Sequence, residues 1–259
     1  MEWQAVYVLW LREMKNMYRA KSRIIGALGM PFFFLVFMSL GFRRAEIPGV
    51  PPGDYVLFLT PGIIGMTTLF SSMFAGISVL WDKQFGFMRE VMVAPVSRLS
   101  IVIGRALGGA SVSLTQSILI MILSIPVGFR ISSPLMIVPA IALMSIISFG
   151  FIGLGLIFAA LMNDPHGFSL IVNFVIFPIF LLSGAIIPIE TLPSWLLPAC
   201  YANPLTYGVD MLRFMLLDAD VAHEMTKFPA LVSMAVVLSF AALTLGISTI
   251  LFENEEDYQ

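Results

Sequence analysis

Apolar positions run in six long blocks, at residues 24–42, 55–80, 106–127, 134–162, 168–187 and 228–252, and none of the six contains a charged residue. A helix needs about 20 predominantly apolar residues to cross a hydrocarbon core of roughly 30 Å, and each block supplies that length. The blocks are too long for membrane strands and lack period-two alternation, so a barrel is excluded. Pro31, Pro61, Pro139 and Pro178 fall within them. Neighbouring helices in lipid can satisfy the carbonyls that such breaks release. The pattern predicts an all-α membrane protein with six transmembrane helices, a single domain over residues 1–259.

Four other segments have patterns of their own. In residues 1–20, Trp3, Val6, Tyr7, Trp10, Met14, Met17 and Tyr18 recur at three- and four-residue steps, with Arg12, Glu13, Lys15, Asn16 and Arg19 mostly off that stripe. Such a helix suits the inner headgroup layer, as an anchor alone or also as a surface for a cytoplasmic partner. In residues 82–98, Phe85, Met88, Met92 and Val96 again lie at helical steps, between Asp82 and Pro95. That spacing predicts either a short amphipathic helix offering Met and Phe as a docking ridge, or a loop that only reverses the chain.

Residues 188–227 carry Pro188, Pro193, Pro198 and Pro204 among Leu192, Trp195, Leu196 and Leu197. So apolar a connection is expected to dip back into the outer leaflet as short helices, capped by Ser194 and Thr206, with Asp210 and Arg213 paired on one face. It forms a lid or touches substrate. The turn Asn163-Asp164-Pro165-His166-Gly167 consists of turn formers, and Asp164 with His166 alone makes a poor metal site.

Composition sharpens this reading. The chain is 59% hydrophobic and 12% charged, against about 25% charged residues in a soluble domain. Its formal net charge of -2 gives no basic excess for nucleic acid. With the N-terminus inside, nine Lys and Arg fall on the inner side and five on the outer, which favours cytoplasmic N- and C-termini. No Gly-x-x-x-x-Gly-Lys-Ser/Thr loop, Gly-x-Ser-x-Gly elbow, His-Glu-x-x-His helix or cysteine pair is present. Gly104 and Gly108, like Gly150, Gly153 and Gly155, read as close helix contacts. Ion-coupled transporters bury a titratable group in the bundle, and these blocks hold none. Energy for directed transport is therefore expected from a separate motor. A passive channel or scaffold needs none, and an intramembrane enzyme would need a nucleophile or acid–base pair.

The stretch Asp82 to Arg98, with Gly86, Glu90, Pro95, Val96, Ser97 and Arg98, resembles the signature of the ABC transporter type-2 permease family. Phe87 stands where Thr is more common. Thr60-Pro61-Gly62 and Asn203-Pro204-Leu205-Thr206-Tyr207 are similar to two further family motifs, and the order of elements agrees over the whole chain. The resemblance implies a plasma-membrane exporter subunit that forms a homodimer or pairs with another permease. Two separate ABC ATPase subunits would carry ATP and magnesium, leaving this chain without a cofactor or catalytic residue. It further implies a coupling helix at 82–98, with Asp82, Phe85, Gly86, Phe87, Met88, Glu90, Met92, Pro95 and Arg98 at the ATPase. Outer re-entrant helices at 188–217 would form a gate with Pro188, Trp195, Asn203, Pro204, Tyr207, Asp210 and Arg213. The substrate would be a small amphiphile or a lipid-linked molecule.

Overall fold

The computed structural model describes residues 2–42, 47–51, 53–85 and 97–254, apart from the side chains of Lys21, Arg23, Lys83, Arg98, Glu253 and Asn254. In chain order the helices are α1 (Trp3–Arg19), α2 (Lys21–Gly41), α3 (Tyr55–Ala75), α4 (Ile77–Gln84), α5 (Arg98–Ser124), α6 (Ile137–Leu161) and α7 (Pro165–Leu181). They continue as α8 (Leu197–Ala202), α9 (Pro204–Leu216), α10 (Ala219–Met225) and α11 (Ala230–Asn254), and no strand occurs among the described residues.

Five of these stretches are long and apolar enough to cross a membrane: Ile24–Gly41, Tyr55–Asp82, Leu99–Val127, Pro134–Leu161 and Ala230–Phe252. The fifth predicted block is shorter than expected, since α7 stops at Leu181 and the chain turns at once. Its ends still reach both ends of the bundle. His166, in its first turn, lies edge-on to Trp81 of α4 with ring centroids 6.5 Å apart. Just past its end, the Ile186 carbonyl accepts from the Tyr55 hydroxyl at the start of α3 (3.1 Å).

α3 is the central helix and packs against α2, α5, α6, α7 and α9. Small residues let the helices approach closely. A Cβ on Gly155 of α6 would sit 2.5 Å from the Met73 carbonyl oxygen, and one on Gly76 would sit 2.5 Å from that of Gly155. Gly150 and Gly153 make the same kind of room for α11, whose Thr244 hydroxyl donates to the Gly150 carbonyl (2.8 Å). Hydroxyls finish the seam. Thr68 of α3 meets Ser117 of α5 at 2.8 Å, while Ser72 reaches Ser113 at 3.1 Å and Ser148 of α6 at 2.8 Å. Such bonds between helices in lipid are worth about 0.6 kcal/mol each.

Candidate coupling face and outer hairpin

The segment read as a docking ridge follows α4 and precedes α5 in the chain. Gly86, Phe87, Met88, Glu90, Met92 and Pro95 lie outside the described residues, as does the side chain of Arg98. Phe85 is well exposed and stacks on Trp81, with centroids 5.8 Å apart, so an apolar aromatic pair marks the root of the segment.

Asp82 departs from expectation. It does not open a helix on the docking surface; it lies in the last turn of α4 and is 5% exposed. Its carboxylate accepts from both terminal nitrogens of Arg12 on α1 and from Nη2 of Arg105 on α5. Arg105 also donates to the Ser78 hydroxyl (3.3 Å), and Glu13 stands 3.7 Å from it. The reason is electrostatic: two guanidiniums draw the carboxylate inward, and a buried charge is tolerated only when paired. The hydrogen bond to Asp82 raises Arg12 above its ordinary value, aided by the charges of Asp82 and Glu13 and opposed by partial burial. The cluster fastens α1, α4 and α5 together where the segment begins and ends. Arg105 also lies within the apolar stretch Leu99–Val127, so the crossing helices are not free of charge at that end.

α1 runs lengthwise beside the first half of α5. The Glu2 amide donates to the Ser100 hydroxyl and the Trp10 indole to that of Ser111, both at 3.0 Å. Val6 and Leu9 fit over Gly104, and Glu13 lies over Gly108, where a Cβ would be 2.7 Å from its side chain. The Gly-x-x-x-Gly at 104–108 is therefore the seat of α1. Trp3, Tyr7 and Tyr18 stay exposed on its other side. On the same end of the bundle, Asp164 caps α7 through the amides of His166 (3.1 Å) and Gly167 (2.7 Å), and these bonds hold its carboxyl pKa below the ordinary value, Gly167 contributing most.

At the opposite end, residues 188–217 fold as a turn at Ile189–Thr191 followed by the hairpin α8–α9. Pro188 leads into the turn, and Trp195, just before α8, is 75% exposed. The expected caps differ. Asn203 caps α9, accepting from the Leu205 amide (3.0 Å) while its own amide donates to the Ile179 carbonyl of α7 (2.6 Å). Pro204 takes the first helical position, where no amide hydrogen is needed. Thr206 lies a turn inside and donates to the Cys200 carbonyl (2.8 Å), and Ser194 caps nothing. Tyr207 donates to the Tyr201 carbonyl (2.9 Å) and packs on Phe228.

Asp210 and Arg213 do not bond to each other as expected. The Asp210 carboxylate accepts from the amides of Lys227 (2.8 Å) and Phe228 (3.1 Å), holding the lead-in to α11. Arg213 is buried, lies 3.7 Å above the Phe58 ring, and donates to the carbonyls of Gly184 (2.7 Å) and Phe58 (3.3 Å). Each side chain satisfies backbone groups instead, Asp210 the amides of Lys227 and Phe228 and Arg213 the carbonyls of Gly184 and Phe58, so the two act as separate braces. Lys227 also bonds Glu190 (2.7 Å). Burial pushes the Glu190 carboxyl up, but its bond to Lys227 and the nearby positive charges hold it below its ordinary value.

The family model described as "ABC-2 type transporter" matches residues 4–217, from α1 through the outer hairpin. The chain belongs to the ABC-2 type transporter family. It is 27% identical over 251 residues to a putative transport permease, ycf38, of Cyanophora paradoxa, covering 96% of this chain and 83% of that one. It is 26% identical over 236 residues to the inner membrane transport permease YadH of Escherichia coli K12, covering 89% and 90%. Nodulation protein J of Sinorhizobium fredii is 25% identical over 248 residues, covering 94% and 90%. This ABC-2 chain is thus a transport permease with several membrane-crossing helices, and its chemistry is that of a permease component rather than an enzyme. The four-residue cluster at Arg12, Glu13, Asp82 and Arg105 is the feature of this permease that sequence reading missed. Its only signal was an acidic and a basic residue just outside the ends of adjacent apolar blocks.

Proposed function

We propose that the chain is the membrane-spanning subunit of an ATP-driven exporter, with six crossings and both termini cytoplasmic. It pairs with itself or another permease to form a path for an amphiphilic substrate, and separate ATPase subunits drive it. The observation that carries this reading is the mounting of the segment between α4 and α5. An exposed Trp81–Phe85 stack stands on a root that three helices and four charged groups hold rigid. A handle that transmits force needs an apolar contact surface and a stiff base, whereas a passive loop needs neither.

In this reading α1 is the interfacial helix, residues 82–98 form the coupling helix, and the hairpin at 188–217 is the outer gate. ATP binding closes the partner subunits and moves the two handles. Phe85, Gly86, Phe87, Met88, Glu90, Met92, Pro95 and Arg98 make the contact, while Asp82 acts behind them by holding the base. At the gate, Pro188, Trp195, Asn203, Pro204, Tyr207, Asp210 and Arg213 brace the hairpin. Membership in the family, the relatives' names and the full-height reach of α7 support this arrangement.

The test is reconstitution with the ATPase encoded for this permease. Glu90→Lys reverses a charge at the proposed contact and is expected to lower transport-linked ATP hydrolysis by about tenfold, the equivalent of one charge-assisted hydrogen bond. Full coupling in that variant removes Glu90 from the contact, and cargo movement by the purified permease alone in liposomes overturns the reading.

A further inference from the structure

A cavity of about 680 Å³ lies between α1, the first half of α2, the α3–α4 pair and α5. Its volume is within the roughly 300–1,000 Å³ usual for small-molecule sites. At one end it reaches the cluster of Arg12, Glu13, Asp82 and Arg105, where two guanidiniums and two carboxylates balance one another. That end calls for no ion. The rest of the cavity runs into the uncharged blocks of the sequence.

Within that apolar part, three polar groups are left over. Gln116 of α5 is 6% exposed and lines the cavity, and its amide bonds no described residue. Ser71 of α3 lines it too, and its hydroxyl likewise bonds no described residue. On α2, Pro31 brings no amide hydrogen to the Ala27 carbonyl, and both residues line the cavity. The three groups share one depth. Phe42 meets Tyr55 where α2 gives way to α3 (centroids 5.2 Å), and Thr68 meets Ser117 halfway down. At about 1.5 Å per residue along these antiparallel helices, the two contacts bring Ala27, Ser71 and Gln116 level, about 16 Å from Asp82.

Polar groups at that depth are costly to leave unmet, because lipid offers them no partner. A hydroxyl answers them, since it accepts from the Gln116 amide and donates to the Ala27 carbonyl. Hydrocarbon has room on either side of that level, along Met30 and Met66 in one direction and Phe74 in the other. Methionine and phenylalanine give such a chain an adaptable wall.

We propose that the cavity holds one uncharged, mostly hydrocarbon molecule from the bilayer that carries a hydroxyl in the middle of its length. The hydroxyl meets Gln116, Ser71 and the Ala27 carbonyl, and the occupant ties α2 to α3 and α5. The site lies within a single chain. It rests on these helices crossing the membrane and not on an ATPase or a second permease.

The test uses the full chain purified in neutral detergent, with retained ligand counted by native mass spectrometry and thermal stability measured alongside. Methyl 12-hydroxystearate and methyl stearate are matched probes that differ by one mid-chain hydroxyl. The hydroxylated ester is expected to be retained at one per chain, about tenfold over the other, the equivalent of one buried hydrogen bond left unmade. Gln116→Leu should erase that preference without lowering Tm, since it removes an amide that lacks a partner. Gly26 lines the cavity and Gly29 does not, and a Cβ at either position meets nothing within 4 Å. Gly26→Phe should therefore abolish retention of both esters, whereas Gly29→Phe should bind as the parent chain does. Equal retention of the two esters by the parent chain, a preference that survives Gln116→Leu, or equal binding by the two glycine variants overturns the proposal. None of these outcomes bears on the ATPase reading, which the Glu90→Lys experiment tests separately.

Discussion

Asp82 and Arg213 show two ways of keeping a charge inside a membrane protein. Arg213 donates to two carbonyl oxygens and lies on an aromatic face, so its charge meets dipoles supplied by the first turn of α3 and by the turn at Gly184. Asp82 is held by two full opposite charges, and that makes it the more fragile site. Replacing it with Ala leaves Arg105, 5% exposed, beside Glu13 alone at 3.7 Å. Removing one partner of such a buried pair costs about 3 kcal/mol, expected as a clear fall in the Tm of the detergent-purified chain. The double variant Asp82→Leu with Arg105→Met removes both charges and should recover most of that loss, because an apolar pair of similar volume needs no desolvation. Equal melting of the single and double variants would show that the two residues are not coupled. Neither residue looked buried in the sequence, where each stands one or two positions outside an apolar block. Burial came from a third element, α1, far away in the chain.

Among elements, the long apolar helices were legible because an uncharged block of 19 residues or more has few alternatives in lipid. The close-contact reading of the glycines also held, and the structure gives each a partner: Gly104 and Gly108 receive α1, Gly150 and Gly153 receive α11, and Gly155 meets α3. The caps of the outer hairpin were misjudged. Ser194 and Thr206 have the right side chains, but Asn203 precedes a proline that fixes the first helical turn, and that local geometry decided the start of α9. α7 ended early because the chain turns through Gly184 with φ of +71°, a conformation that a run of apolar letters does not announce. The crossing of α3 and α6 is an unforgiving contact. Gly155→Leu would push a side chain against the Met73 backbone, which cannot rotate away, and should destabilise the chain by about 3 kcal/mol. Gly246→Leu on α11, where a Cβ meets nothing within 4 Å, should leave Tm unchanged. A similar fall in both would argue against the tight α3–α6 crossing.

At the scale of the whole molecule, everything turns on whether α7 crosses. It has 17 residues, a length of about 25 Å, against a hydrocarbon core of roughly 30 Å. The contacts at its two ends, His166 with Trp81 and Ile186 with Tyr55, match it to the full height of α3 and α4, so the turn after Leu181 supplies the missing length. With six crossings as proposed, α5, α6 and α7 separate Gln84 from Ser194 and put them on opposite sides. In the proposed topology the excess of Lys and Arg near α1, α4 and α5 assigns Gln84 to the cytoplasm. The sequence has one cysteine, Cys200, and it is buried, so the background for labelling is quiet. Gln84→Cys should be protected from a membrane-impermeant maleimide in intact cells and react in inverted vesicles, and Ser194→Cys should do the reverse. Labelling of both from the same side would mean that α7 turns back, that the outer hairpin lies beside the coupling segment, and that no gate stands opposite the motor.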